Sequence, residues 1–318
     1  MSIGLSRVAV RLPNRVEQVD DILVRLGRRP AERRMFARVH GLRDSPTLAP
    51  GERIEDLLVE AGRAAAGGTA VGLVLYGYTL LIPEVDNRGD FRQRLRDRLG
   101  LPGAECYGIS HVNCTSVLRS LELARKYLLR PGAAASDRVL VLGGDQGSAT
   151  DRARFIEGTA VAGDAVVAVV AHRSAAAPGV RYRYLGAATG RDTRFHRSMR
   201  LSREDLARYG RVCSAEAVAT VRRAVQAAGL DEVDWIMPHL SNRMFWRTFS
   251  ADSGIPLHRI CLDLMAERGH NFGTDALMSL EHADRDGRLR AGDRCALLAI
   301  GQGAYFQSAV VEVVEEHG

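Results

Sequence analysis

The segment "HVNCTSVLRSLELA", residues 111–124, sets one cysteine, Cys114, directly ahead of an amphipathic run. Val117, Leu118, Leu121, Ala124 and Leu128 fall on one helical face, so Cys114 sits at the mouth of a helix that Pro131 and Gly132 stop. Apolar runs of strand length flank it: "AVGLVLYGYT" (70–79) before, "DRVLVLGGD" (137–145) and "DAVVAVVAH" (164–172) after. Strand, helix and strand in succession, with strands apolar enough to be covered on both faces, predict an α/β chain of layered helices and sheet.

Outward from this centre, "SRVAVRLP" (6–13) reads as a strand, and 53–68 and 90–101 read as helices. Beyond the small, proline-bearing stretch "RSAAAPGVR" (173–181) the order recurs. Helices are expected at 214–230, 241–253 and 275–285, strands at 231–239 and 259–261, and a closing strand pair within 293–314. Both halves end a strand in glycines, "LVLGGDQG" and "LLAIGQGA", which points to an internal duplication with halves 1–175 and 176–318.

Composition removes several classes of function. The single lysine, Lys126, lies in the exposed phase of its helix, against Schiff-base or pyridoxal chemistry. Five cysteines without a C-x-x-C pair argue against a disulfide framework or a thiolate zinc site, and the histidines lack ligand spacing, so no metal is expected. The longest apolar stretch, 69–83, is too short to span a membrane, and no basic start with an apolar run follows Met1; a cytoplasmic protein is the expectation. The net charge of +6 rests on arginine. It reads as a solvated surface, or as a guide for an acidic partner such as a phosphorylated cofactor or an acyl carrier protein. Nucleic acid is not indicated, because no basic run interleaves with aromatics.

Three places carry chemistry. A helix N-terminus stabilises a thiolate at Cys114 and offers backbone N–H groups to an oxyanion, although a buried structural cysteine fits this stretch equally well. "DEVDWIMPHLSN" ends a strand at Pro238-His239 with Asn242 three residues on, and strand C-termini are where open α/β sheets put their chemistry. "ERGHNFGTD" (267–275) sets His270 beside Asn271, and either side chain can donate a hydrogen bond to a developing negative charge.

Taken in order, these segments resemble the β-ketoacyl-acyl-carrier-protein synthase III family of the thiolase superfamily. "VNCTSVLRSLELA" is similar to the family's nucleophile segment, and "VAGDAVVAVVA" to its Gly-Asp-Gly-Ala strand at Gly163 and Asp164. "DWIMPHLSN" matches its Pro-His-Gln-Ala-Asn motif, and "DGRLRAGDRCALLAIGQGAYFQSAVV" its C-terminal glycine loop. The resemblance implies a thiolase-like fold of two pseudo-duplicated halves in a five-layer αβαβα sandwich. It implies no permanently bound cofactor, and a substrate that is acyl-CoA or an acyl-phosphopantetheine carrier. It also implies a homodimer, paired edge to edge through the strand at about 138–145.

The resemblance places Cys114 as nucleophile and His239 as catalytic histidine. Counting back without a gap from Asp286-Gly287-Arg288 puts His270 in the slot of the family's catalytic asparagine; pairing Asn271 there instead requires an insertion that moves Leu277 and Leu280 off the buried helix face. Asn271, Gln302 and Gly303 are expected to hold an oxyanion or the acceptor, and Asn242, Arg43 and Arg243 to meet the substrate or its carrier, with Arg38 also near the entrance. Ser116 and Gln302 stand where the family has glycine. With a histidine in the asparagine slot, these departures imply acyl transfer through acyl-Cys114 to an acceptor in polyketide, fatty-acid or other specialised metabolism. The alternatives are decarboxylative condensation with a malonyl carrier and a silent partner subunit, the latter disfavoured by retention of Cys114 and His239.

Overall fold

The computed structural model describes residues 2–80, 90–197 and 201–315. Ten strands form one sheet: β1 (Ile3–Ser6), β2 (Ala9–Arg11), β3 (Leu73–Gly77), β4 (Glu105–Ile109), β5 (Arg138–Gln146), β6 (Asp164–His172), β7 (Val180–Arg191), β8 (Trp235–Met237), β9 (Arg294–Gly301) and β10 (Tyr305–Val313). Six principal helices accompany them: α1 (Ile54–Ala66), α2 (Phe91–Leu99), α3 (Ser116–Leu128), α4 (Arg203–Ala227), α5 (Arg243–Ser253) and α6 (Asp275–Arg285).

The strands run in the order β8-β9-β10-β7-β1-β6-β5-β3-β4, with β2 on β6. The amino-terminal strand β1 therefore joins the sheet of the first half to that of the second, pairing antiparallel with both β6 and β7. Period-two alternation explains how β5 and β6 are covered twice. Val139, Val141, Val167 and Val169 face the central core. Leu140, Leu142, Val166 and Ala168 face the layer of α1 and α2. Helix α3 lies on β3 and β5 and also reaches β10, while α6 packs on β8 and β9 and touches β2. These two helices form the middle layer, α4 covers the far side of β7 and β10, and α5 packs on α4.

The expected strand at 6–13 is two strands, broken between Ser6 and Ala9. The expected strand at 259–261 reduces to one bridge, Ile260 to Ile236. The edge-pairing expectation is corrected: β5 is flanked by β6 and β3 and has no free edge, whereas β4 ends the sheet.

His172 closes β6 almost fully buried, and burial, with Arg138 nearby, pushes its pKa down to about 4. The unfolded chain takes up this proton below about pH 6.5 while the folded chain resists until about 4, so stability falls as pH drops through that window. Urea titrations at pH 7 and pH 4 should show His172→Asn losing about 3 kcal/mol less than the wild type over that range.

Candidate active site

Cys114 lies in a 3-10 turn, Asn113–Thr115, that runs straight into α3. A second 3-10 turn, Phe272–Thr274, runs the same way into α6. Among the described residues only Asn113, Phe272 and Ala304 combine a side chain with positive φ, at 52°, 55° and 56°. All three border the same small region, and such residues cluster where a backbone is held for function. Asn113 Nδ2 donates to Gln302 O at 2.8 Å, which ties the nucleophile's turn to the C-terminal glycine loop.

The start of α3 fits against backbone with no room to spare. A Cβ on Gly273 would stand 3.1 Å from Cys114 O and 2.8 Å from a Val117 methyl. A Cβ on Gly301 would stand 2.8 Å from Val112 O and 3.4 Å from Cys114 N. Gly301→Ala should therefore push the 301–303 loop off the nucleophile and slow Cys114 acylation at least tenfold, with a lowered melting temperature because the clash is with backbone; stopped acylation reactions read by intact mass check this.

Cys114 is 4% exposed and faces a buried imidazole: its Sγ is 3.9 Å from His270 Nε2. The other ring nitrogen of His270, Nδ1, lies 2.6 Å from Asp275 Oδ2. Asp275 also accepts N–H from Asn271 at Oδ1 (2.7 Å) and from Leu240 at Oδ2 (2.8 Å). A carboxylate fixed by two backbone donors holds the ring so that Nε2 faces the sulfur. Burial opposes a charge on His270, but Asp275 and Cys114 outweigh it and raise the imidazole to about 10. His239 stands edge-on to His270, ring centres 4.4 Å apart, with Nδ1 3.5 Å from Asp275 Oδ2. Burial first, and the charge of His270 second, push it well below the usual histidine range, so it is neutral. Trp246 Nε1 donates to His239 O at 2.8 Å and fixes the end of β8.

The loop carrying His270 is fastened to the first half of the chain. Gly163 N donates to His270 O at 2.8 Å, and Ala162 bridges His270 in parallel register. The buried Arg154 donates to Ala162 O through Nε and to Ser45 and Thr47 through Nη2. Asp164 accepts from Leu48 N and Ser148 N, bracing the same strand end. Asp145 accepts from Thr79 N and Leu80 N, and Leu80 packs on the cluster of Cys114, Ala162 and Phe272.

The expected site residues thus divide. Cys114, His239 and His270 converge. Leu277 and Leu280 are buried, as the ungapped placement of His270 requires. Asn271 is directed elsewhere: its Nδ2 donates to Arg268 O and Gly269 O, bracing its own loop instead of an acyl oxygen. Asn242 caps α5 by accepting from Phe245 N at Oδ1. Arg43 is exposed and paired with Asp44 and Glu267. The Arg243 guanidinium lies across Gly41, within 3.2 Å of where a Cβ there would be. Gln302 and Gly303 border the nucleophile's turn through Asn113 and Gly301.

The residue missed from sequence is Asp275. Its only signal is its place five residues after His270, and the positive φ at Phe272 folds that spacing into contact. The histidines also meet a carboxylate despite lacking ligand spacing: His239, His270 and Asp275 offer atoms within 4.8 Å of one another.

Comparison with known proteins bears on sequence and fold. The family model for the C-terminal part of 3-oxoacyl-[acyl-carrier-protein] synthase III matches residues 224–313. A β-ketoacyl-[acyl-carrier-protein] synthase III of Alkalilimnicola ehrlichii is 27% identical over 298 residues, covering 85% of this chain and 88% of its own. Among solved structures, the acyltransferase ChlB3 superposes with a TM-score of 0.83 at 19% identity, covering 99% of this chain and 98% of its own. The 3-oxoacyl-(acyl carrier protein) synthase III of Pseudomonas aeruginosa gives 0.78 at 23% identity, covering both chains fully.

Proposed function

We propose that this chain, ketoacyl-synthase-III-like in sequence and thiolase-like in fold, moves an acyl group from a thioester through Cys114 to a hydroxyl or amine acceptor. The observation that carries the reading is the Cys114–His270–Asp275 relay, with its spacings of 3.9 and 2.6 Å. The ChlB3 structure, described as an acyltransferase, supports it.

His270 Nε2 takes the Cys114 proton, and Asp275 stabilises the imidazolium so formed. The thiolate attacks the thioester carbonyl. The backbone N–H of Cys114 and one near Gln302–Gly303 hold the oxyanion. Collapse expels the donor thiol, which leaves with the proton from His270. Acylation removes the sulfur's charge, one of the groups that raise His270, so the imidazolium yields its proton more readily and the ring stands neutral, free to take another. It then takes the acceptor's proton as the acceptor attacks acyl-Cys114. Collapse of the second intermediate returns the thiolate facing an imidazolium. Neutral His239 hydrogen-bonds the acceptor or the acyl oxygen.

Decarboxylative condensation is the second reading, favoured by two adjacent imidazoles, both able to donate to an enolate oxygen. The test acylates the protein from a panel of acyl-CoA and acyl-carrier thioesters. It then offers the acyl-enzyme a malonyl carrier, or an alcohol and an amine. Ester or amide product supports transfer; carbon dioxide release with a β-keto product overturns it.

The donor carries phosphopantetheine, as coenzyme A or on an acyl carrier protein, and the arginine excess suits either. No permanently bound cofactor enters the scheme. A homodimer is proposed through β4, where Tyr107 is 50% exposed on an edge that pairs with no further strand among the described residues. No helix among the described residues is long and apolar enough to cross a membrane, and a cytoplasmic location fits this reading.

A further inference from the structure

We infer that Leu80 limits the size of the acyl group that Cys114 accepts, favouring straight-chain donors of about two to four carbons, and that Asp145 is the residue that positions it. The inference rests on the acyl-Cys114 reading above and adds the acyl class to it. Cys114 is walled in on most sides. His270 Nε2 stands 3.9 Å from its sulfur. Its backbone fits against Gly273 and Gly301, where a Cβ would stand 3.1 Å from Cys114 O and 3.4 Å from Cys114 N. Ala162 and Phe272, which cluster with it, are themselves buried, and a Cβ on Gly147 would stand 2.9 Å from the Phe272 ring. Among the described residues, Leu80 is the one half-buried side chain in this cluster. An acyl chain leaving the sulfur therefore grows against Leu80, whose branched side chain fills room that a longer chain needs.

A carboxyl group holds Leu80 in place. Strands β3 and β5 run parallel with Gly77 opposite Gly143, so the chain leaving β3 crosses the end of β5, where Asp145 stands. Tyr78 N still donates to Ile109 O of β4. The next two N–H groups, of Thr79 and Leu80, both donate to Asp145 Oδ1 at 2.7 Å. Asp145 is buried, makes no ion pair, and its Oδ2 has no hydrogen-bond partner among the described residues. A buried carboxyl group so sparsely compensated costs stability, which its hold on the Leu80 backbone accounts for. Burial lifts its pKa to about 7 against the pull of the two N–H groups, so a neutral amide can stand in for it near neutral pH.

Two chain-length series on the full-length protein test this. In the first, acyl-CoA thioesters from acetyl to decanoyl acylate Cys114, followed by intact mass. In the second, alkyl methanethiosulfonates of matching length form a Cys114–S–S–alkyl disulfide and release methanesulfinate. Cys114→Ala controls for the other cysteines, all buried. The second series needs no acyl transfer, so the two failures are read apart.

In the wild type both rates should fall at least tenfold between the four-carbon and about the eight-carbon members. Leu80→Ala should shrink that ratio to about threefold or less, because it frees roughly three carbons' worth of space. Asp145→Asn, whose one oxygen can accept both N–H groups, should keep the wild-type ratio. Asp145→Leu, or Asp145→Ala should the first not fold, should lose it as Leu80→Ala does. A merely structural Asp145 would lower the melting temperature and slow every chain length alike. A flat wild-type profile, an unchanged ratio in Leu80→Ala, or one ratio shared by Asp145→Asn and the apolar Asp145 variant overturns the inference. A drop in the alkyl series with no acyl adduct from any thioester overturns the acyl-enzyme reading and the inference with it. Adducts formed at one rate at every length overturn the inference alone.

Discussion

Asp275→Asn should yield a folded protein whose acyl transfer is slower by roughly 10³- to 10⁴-fold, as when the carboxylate of a nucleophile–histidine–aspartate relay becomes an amide. The reason lies in hydrogen-bond direction. Asp275 accepts from Asn271 N, Leu240 N and His270 Nδ1. An amide has one oxygen, so its NH2 must face either a backbone N–H or the His270 ring. If it faces the ring, Nδ1 becomes the acceptor and the proton moves to Nε2, where it blocks removal of a proton from Cys114 or from an acceptor. The loss should appear in kcat with little change in KM, because Asp275 is buried behind the ring and touches no substrate. A merely structural role would lower the melting temperature and leave the alkaline limb of the pH–rate profile where it was. The proposed role moves that limb downward, because Asp275 is one of the groups that raise His270 to about 10. Recovery of transfer in Asp275→Glu at half or more of the wild-type rate would sink the geometric argument, since the longer side chain cannot keep all three contacts.

His270→Asn, which restores the residue the family resemblance implies at this position, should separate the two half-reactions. Asparagine donates a hydrogen bond but takes no proton near neutral pH, so transfer to a hydroxyl or amine should fall by about 10²- to 10⁴-fold, the usual contribution of a positioned general base. Acyl-Cys114 should then accumulate, visible by intact mass, because its discharge has lost its base. If the variant discharges its acyl group as quickly as the wild type, the proton goes to His239, and the roles of the two rings must be exchanged. If it gains carbon dioxide release from a malonyl carrier, His270 is the residue that separates transfer from condensation.

How far the sequence carries this reading depends on the range of the interactions. Local periodicity places α1, α2, α3 and α6 to within a residue or two, because each has one apolar stripe and clear stops. Helix α4 begins eleven residues before the expected Ser214, at Arg203, capped by Ser202 accepting from Asp205 N. The Ser-Arg-Glu-Asp start was legible as a cap, but a polar, exposed first half and Gly210 hide the helix. Strand β7 alternates buried Val180, Tyr182 and Tyr184 with arginines, yet it starts at the end of the 173–181 stretch whose small residues read as a junction, and no strand is expected there. Strand order is a different matter. The nine-residue β5, buried at seven positions, lies inside the sheet, and the five-residue β4, ECYGI, ends it, but which strands they pair with is fixed by partners distant in sequence. For the site, resemblance places Cys114, His239 and His270, but the direction of a polar side chain depends on the turn beneath it. Asn271 therefore folds back on Arg268 and Gly269, while Asp275 comes forward.

The join between His270 and the Ala162–Gly163 strand end has a consequence for the newborn chain. A ribosome releases Cys114 long before it makes either imidazole or Asp275, and the loop that brings His270 to the sulfur can dock only onto a strand already laid down. Until His270 and Asp275 have been made, the thiol lacks the imidazole and the carboxylate that stand behind it in the fold. The proton relay of the thiol is thus assembled only after the second half has docked on the first.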